Sequence, residues 1–135
     1  QIHVVYAVIK IEEDDLTEQT IIKIYNTLTG NYFSIRKDGA EIHYYLTYNG
    51  IEQEIYTSDP FPVGDIIAVG IDIEGIIETF GGNVASFFGS QNGMKMYVGG
   101  DESNEFQFTG YIYTVGLSSS FRRKWFLNAG SELNG

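Results

Sequence analysis

Met94-Lys95-Met96-Tyr97-Val98-Gly99-Gly100 and Phe108-Thr109-Gly110-Tyr111-Ile112-Tyr113-Thr114-Val115-Gly116-Leu117 decide the fold. Side chains of alternating character run along both, the period-two signature of strands with one face in a core. Glycines interrupt each run, as they do where a strand bends or another backbone comes close. Working outward, the same period predicts strands over 20–26, 32–37, 41–48, 51–57, 66–73 and 106–117. Residues 2–11 are almost continuously apolar, which predicts a central strand. Asp38-Gly39 and Asn49-Gly50 read as two-residue hairpin turns, whose central positions favour positive φ. Thr29-Gly30-Asn31 is a third turn, and Ser58-Asp59-Pro60-Phe61-Pro62 a loop, because proline cannot donate to a ladder. Turn signals at intervals of ~8–12 residues predict an antiparallel sandwich.

Two segments read differently. Residues 74–90 show no clean period. Phe121-Arg122-Arg123-Lys124-Trp125-Phe126-Leu127 sets Phe121 and Trp125 four apart, which predicts a short amphipathic C-terminal helix stopped by Ala129-Gly130.

Composition bounds the function. The 135 residues suffice for one ordinary domain with a full core, and residues 1–130 are expected to form it. The net charge of −10 would repel a phosphate backbone or an anionic membrane surface, so neither nucleic acid nor membrane is an expected partner. Without cysteine, disulfides, thiolate metal sites and thiol catalysis are excluded. No apolar run approaches the ~18 residues of a membrane-spanning helix. The chain opens on Gln1 and enters an apolar strand with no basic leader, which reads as a module cut from a longer polypeptide; residues 131–135 read as the start of a linker.

The region from Asp65 to Arg122 resembles laminin-G-like, concanavalin-A-like domains. Asp65-Ile66-Ile67-Ala68-Val69-Gly70-Ile71-Asp72 is similar to a central strand of that family, Met94–Gly100 to its strand ending in Gly-Gly, and Phe108–Leu117 to its closing strand. The resemblance implies an all-β, two-sheet antiparallel jelly-roll β-sandwich whose usual work is binding. Phe80-Gly81-Gly82-Asn83-Val84-Ala85-Ser86-Phe87-Phe88-Gly89 is also similar to modules of bacteriophage tail and other virion proteins. The expected function is therefore a non-catalytic binding or structural module of a virion surface or other extracellular protein, with glycans or subunits of a larger assembly as partners. The alternatives are a carbohydrate-binding module of a secreted bacterial enzyme, and a small glycoside hydrolase.

Hydrolases of this fold carry paired carboxylates on one strand. Asp72 and Glu74 share a face, ~7 Å apart along a strand. The position where that family places its first Glu is Gly70, and the set is incomplete. The only two histidines, His3 and His43, each sit within a predicted strand, and no Gly-x-Ser-x-Gly elbow or phosphate loop occurs. Calcium needs hard oxygen ligands. Asp101, Glu102 and Asn104 in the loop Asp101–Glu105 are the candidate ligands, and Glu12-Glu13-Asp14-Asp15 is a second acidic loop. Sugar binding uses exposed aromatic faces. In 41–48 the parity assigns Ile42, Tyr44, Leu46 and Tyr48 to the core and His43, Tyr45 and Thr47 to the outside. Tyr45 and Tyr56 are the candidate ligand-binding residues, expected on one exposed face.

Overall fold

The computed structural model describes residues 2–12, 17–48, 50–72, 93–103, 105–119 and 124–128. They are all-β, in two antiparallel sheets stacked as a sandwich. The strands are β1 (Ile2–Ile11), β2 (Gln19–Asn26), β3 (Tyr32–Asp38), β4 (Glu41–Tyr48), β5 (Ile51–Thr57), β6 (Ile66–Asp72), β7 (Met94–Val98), β8 (Gly110–Ser119) and β9 (Lys124–Asn128). A four-stranded sheet runs β6-β1-β8-β9 and a five-stranded sheet β5-β4-β3-β2-β7. As its apolar sequence predicts, β1 is central, between β6 and β8.

Inward residues alternate with outward ones in both sheets. Val5, Ala7, Ile9 and Ile11 of β1 face Ile22, Ile24, Phe33, Ile35 and Leu46 across a single apolar cluster. Tyr44 joins this cluster and hydrogen-bonds the backbone of Gly70, tying the five-stranded sheet to the four-stranded one. Burial pushes the Tyr44 hydroxyl up, so it stays protonated. Lys37 departs from the apolar pattern: it is fully buried, opposite Ile42 and Gln19.

Three details differ from the sequence expectations. The β3–β4 hairpin turns on Gly39-Ala40, one residue later than Asp38-Gly39, with Asp38 paired to Glu41. Gly39 alone takes a positive φ there (63°), the pattern of a turn with glycine first. β8 begins at Gly110, because Phe106 and Gly110 take φ of 52° and 147° and interrupt the expected strand over 106–117. Lys124–Asn128 pairs with β8 as strand β9, in place of the short C-terminal helix. Trp125 and Phe126 suit a pleated surface as well as they suit a helix stripe, and an available ladder on β8 decides between them. Phe121 and the expected linker fall outside the described residues, as does 74–90.

β2 to β5 form a meander, and β7 returns to pair antiparallel with the far side of β2. The crossing from β7 to β8, residues 99–109, therefore passes over the end of β2, which positions the candidate site.

Candidate functional site

The outer face of the five-stranded sheet is built from the residues between the core positions. Two of its cations are laid on aromatic rings. Arg36 of β3 stacks its guanidinium 4.0 Å above the Tyr45 ring of β4. Its Nε donates to Ser34 Oγ (3.2 Å), one terminal nitrogen reaches Glu18 (3.1 Å), and the other reaches Glu52 of β5. Lys23 of β2 sits 4.1 Å over Tyr32 and 5.5 Å from Tyr25, and bonds both carboxylate oxygens of Glu102 (2.9 and 2.8 Å). Tyr32 in turn donates to Glu52 (2.6 Å). At the β5 edge His43 lies between Glu54 (2.5 Å) and Glu41 (3.2 Å), nearly parallel to Tyr45. The Glu54 carboxyl is held below the ordinary carboxylate range by hydrogen bonds from Thr57 and His43.

A cleft of about 170 Å³ opens where this face meets the 99–109 crossing, lined by Glu18, Thr20, Lys23, Arg36, Asp101 and Phe106. Phe106 is 50% exposed and is the one non-glycine with positive φ among the described residues. Such a backbone persists only where its surroundings over-determine it. Here they do. Thr20 N–H donates to the Phe106 carbonyl (2.7 Å), Phe108 N–H to Gly99 (3.0 Å) and Thr109 N–H to the Gln19 side chain (2.8 Å). On the other side, Asp101 Oδ1 accepts the N–H groups of Ser103 and Glu105 at 3.0 and 2.8 Å. The loop is thus pinned on both flanks of Phe106, and its ring is left at the rim of a charged cleft.

The sequence candidates are scattered across this geometry. Tyr45 points outward as expected, but its ring carries Arg36 on one face. Tyr56 does not share its face. The β4–β5 ladder pairs Tyr44 with Tyr56 and Tyr45 with Glu54, so a bulge at Ile55 turns Tyr56 to the side of the core residue Tyr44. The two rings meet at 5.7 Å, and Tyr56 remains 57% exposed only because β5 is an edge strand. Of the calcium candidates, Asp101 spends Oδ1 on its own loop and Glu102 turns to Lys23, while Asn104 lies outside the described residues. Among the described residues no three His, Cys, Asp or Glu side chains converge. Asp72 lies at the end of the outer face of β6, opposite Val4, and Glu74 is outside the described residues.

Lys23, Arg36 and Phe106 escape a reading of the sequence alone. The outward parity of Arg36 was available in Tyr32–Asp38. Phe106 carried no signal, because its exposure follows from a backbone conformation that aromatic residues rarely take.

The network sets a pH response. Burial raises the Glu52 carboxyl, but hydrogen bonds from Arg36 and Tyr32 and the charges of Arg36 and Lys23 outweigh it, leaving it below its ordinary value of 4.5. A carboxyl depressed in the folded state stabilises the fold above its unfolded value, and that contribution is lost as pH falls through the folded value. The melting temperature is therefore expected to fall on acidification below about pH 4.5. Glu52→Gln should flatten that part of the profile; an unchanged slope in thermal melts from pH 6 to 3 would count against the assignment.

No protein-family model matches this chain, and neither a curated protein nor a solved structure is found to match it.

Proposed function

We propose that this chain is a non-catalytic binding module of the concanavalin-A-like jelly-roll kind, and that it takes carbohydrate in the cleft at Phe106. The observation that carries the reading is an exposed aromatic ring, fixed at positive φ, beside hydrogen-bonding side chains. A sugar ring has an apolar face that stacks on an aromatic ring and a rim of hydroxyls that both donate and accept. The cleft offers both kinds of partner, with Phe106 for the ring and Thr20 and the carboxylates for the hydroxyls. Strain that costs stability at an exposed position is the mark of a site kept for contact.

Absence of hydrolysis is part of the proposal. At Gly70 a Cβ would stand 2.6 Å from Tyr6 Cβ and 2.7 Å from the Val5 carbonyl oxygen, which leaves no room for the family's first carboxylate. A setting on a virion surface, with glycans of the host cell as ligands, rests on the resemblance of 80–89 to virion modules.

Phe106→Ala is the test. Affinity for whichever polysaccharide a glycan array identifies is expected to fall tenfold or more, about 1.4 kcal/mol. Phe106→Gly should lose binding equally while melting no lower than Phe106→Ala, because glycine relieves the positive φ. Binding that is unchanged in both variants would move the site away from the cleft.

A further inference from the structure

We infer that the Phe106 cleft selects neutral, hydroxyl-rich sugars and rejects acidic ones such as uronates and sialosides. This deepens the proposed carbohydrate-binding reading and rests on it. At first sight Lys23 and Arg36 suggest the opposite, an anion site. Their surroundings argue otherwise. Lys23 gives its ammonium to both oxygens of Glu102 and lies over Tyr32. Arg36 gives Nε to Ser34 and its two terminal nitrogens to Glu18 and Glu52, with Tyr45 covering one face of its plane. Both cations are held in place by carboxylates and aromatic rings rather than presented to a ligand.

The charge balance points the same way. Lys23 and Arg36 face Glu18, Glu52, Glu102 and Asp101, so the cleft and its immediate partners carry more negative than positive charge. An ionised carboxylate has roughly four acceptor positions and no donor. The capacity left at Glu18 and Glu102 is therefore for accepting hydrogen bonds, which sugar hydroxyls supply and a uronate or sialate carboxylate does not. Bringing another anion here means desolvating it beside like charges, which disfavours that partner. The protein's net charge of −10 opposes its approach as well.

The experiment measures the full chain by calorimetry or array against matched probes. These are galacto-oligosaccharide against oligogalacturonate of equal length, and lactose against sialyllactose. The expected result is at least a tenfold preference for the neutral member of a bound pair. The preference should narrow as salt rises from 20 mM to 0.5 M, since screening weakens repulsion between partly exposed charges. Glu18→Gln removes one negative charge and releases one Arg36 nitrogen, so it should shift the acidic-to-neutral affinity ratio upward by threefold or more. Acidic probes bound as well as neutral ones, with that binding lost in Phe106→Ala, would overturn the charge selectivity and leave carbohydrate binding standing. Capture of no probe of either kind would overturn both.

Discussion

Gly110→Ala is expected to be strongly destabilising, although it adds only one methyl group. Gly110 opens β8 at a φ of 147°, a conformation open in practice to glycine alone, and pairs with Ile11 of β1. A Cβ there would run into the carbonyl oxygen of Lys10 and meet the Phe108 ring at 3.0 and 3.1 Å. Phe108 is buried in the core, and the Lys10 carbonyl belongs to a backbone held in the centre of a sheet, so neither can yield cheaply. Backbone strain of about 1–3 kcal/mol and overpacking of a similar size together amount to roughly 2–6 kcal/mol, out of the 5–15 typical of a domain. The melting midpoint should drop by roughly 10 °C or more. A midpoint within about 2 °C of the parent would mean that β8 can start elsewhere.

Arg36→Ala should also lower stability. Only 13% of the side chain is exposed, and it joins Tyr45, Ser34, Glu18 and Glu52 across three strands. Its removal leaves two carboxylates facing one another's side of the sheet without a cation between them. Both are more than a third exposed, so water screens the repulsion, and the expected loss is about 1.5–3 kcal/mol rather than the larger cost of a fully buried pair. Arg36→Lys should recover only part of it, since an ammonium can neither stack on Tyr45 nor reach both carboxylates as a fork. The Glu52 carboxyl should also rise when Arg36 is lost, moving the acid limb of the stability profile to higher pH. Urea denaturation at pH 7 and pH 4 reads both effects, and an Arg36→Ala variant as stable as the parent at both would remove the network from the account.

Much of the architecture was legible wherever alternation was clean. β4, β5 and β7 fall on the predicted ranges because each is a run bounded by turn residues, and β1 falls on 2–11 because a central strand declares itself by continuous apolar content. What the sequence does not carry is the extra residue in a ladder. The bulge at Ile55 reverses the face of Tyr56, and no local pattern marks it, since Ile55 and Tyr56 are each acceptable on either side. Trp125 and Phe126 fit helix and strand alike until β8 is in place to receive them. The cleft was the least legible part. Its residues come from the approach to β2, from β2 and β3, and from the 99–109 crossing, and the bonds that tie the crossing to Gln19, Thr20, Ile21 and Lys23 bring them together.

The sheet order also sets how the chain must fold. β2 to β5 are joined by short turns and can zip as successive hairpins, each closing a small loop soon after its residues are available. β1 has no such neighbour. Its partners are β6 and β8, so this apolar strand waits for residues 66–72 and then 110–119 before its sheet can close. Non-local pairing of this kind slows folding, and an unpaired apolar strand is open to pairing with other chains while it waits. During synthesis, the four-stranded β2–β5 meander can form while residues 2–11 still lack the partner that β8 supplies.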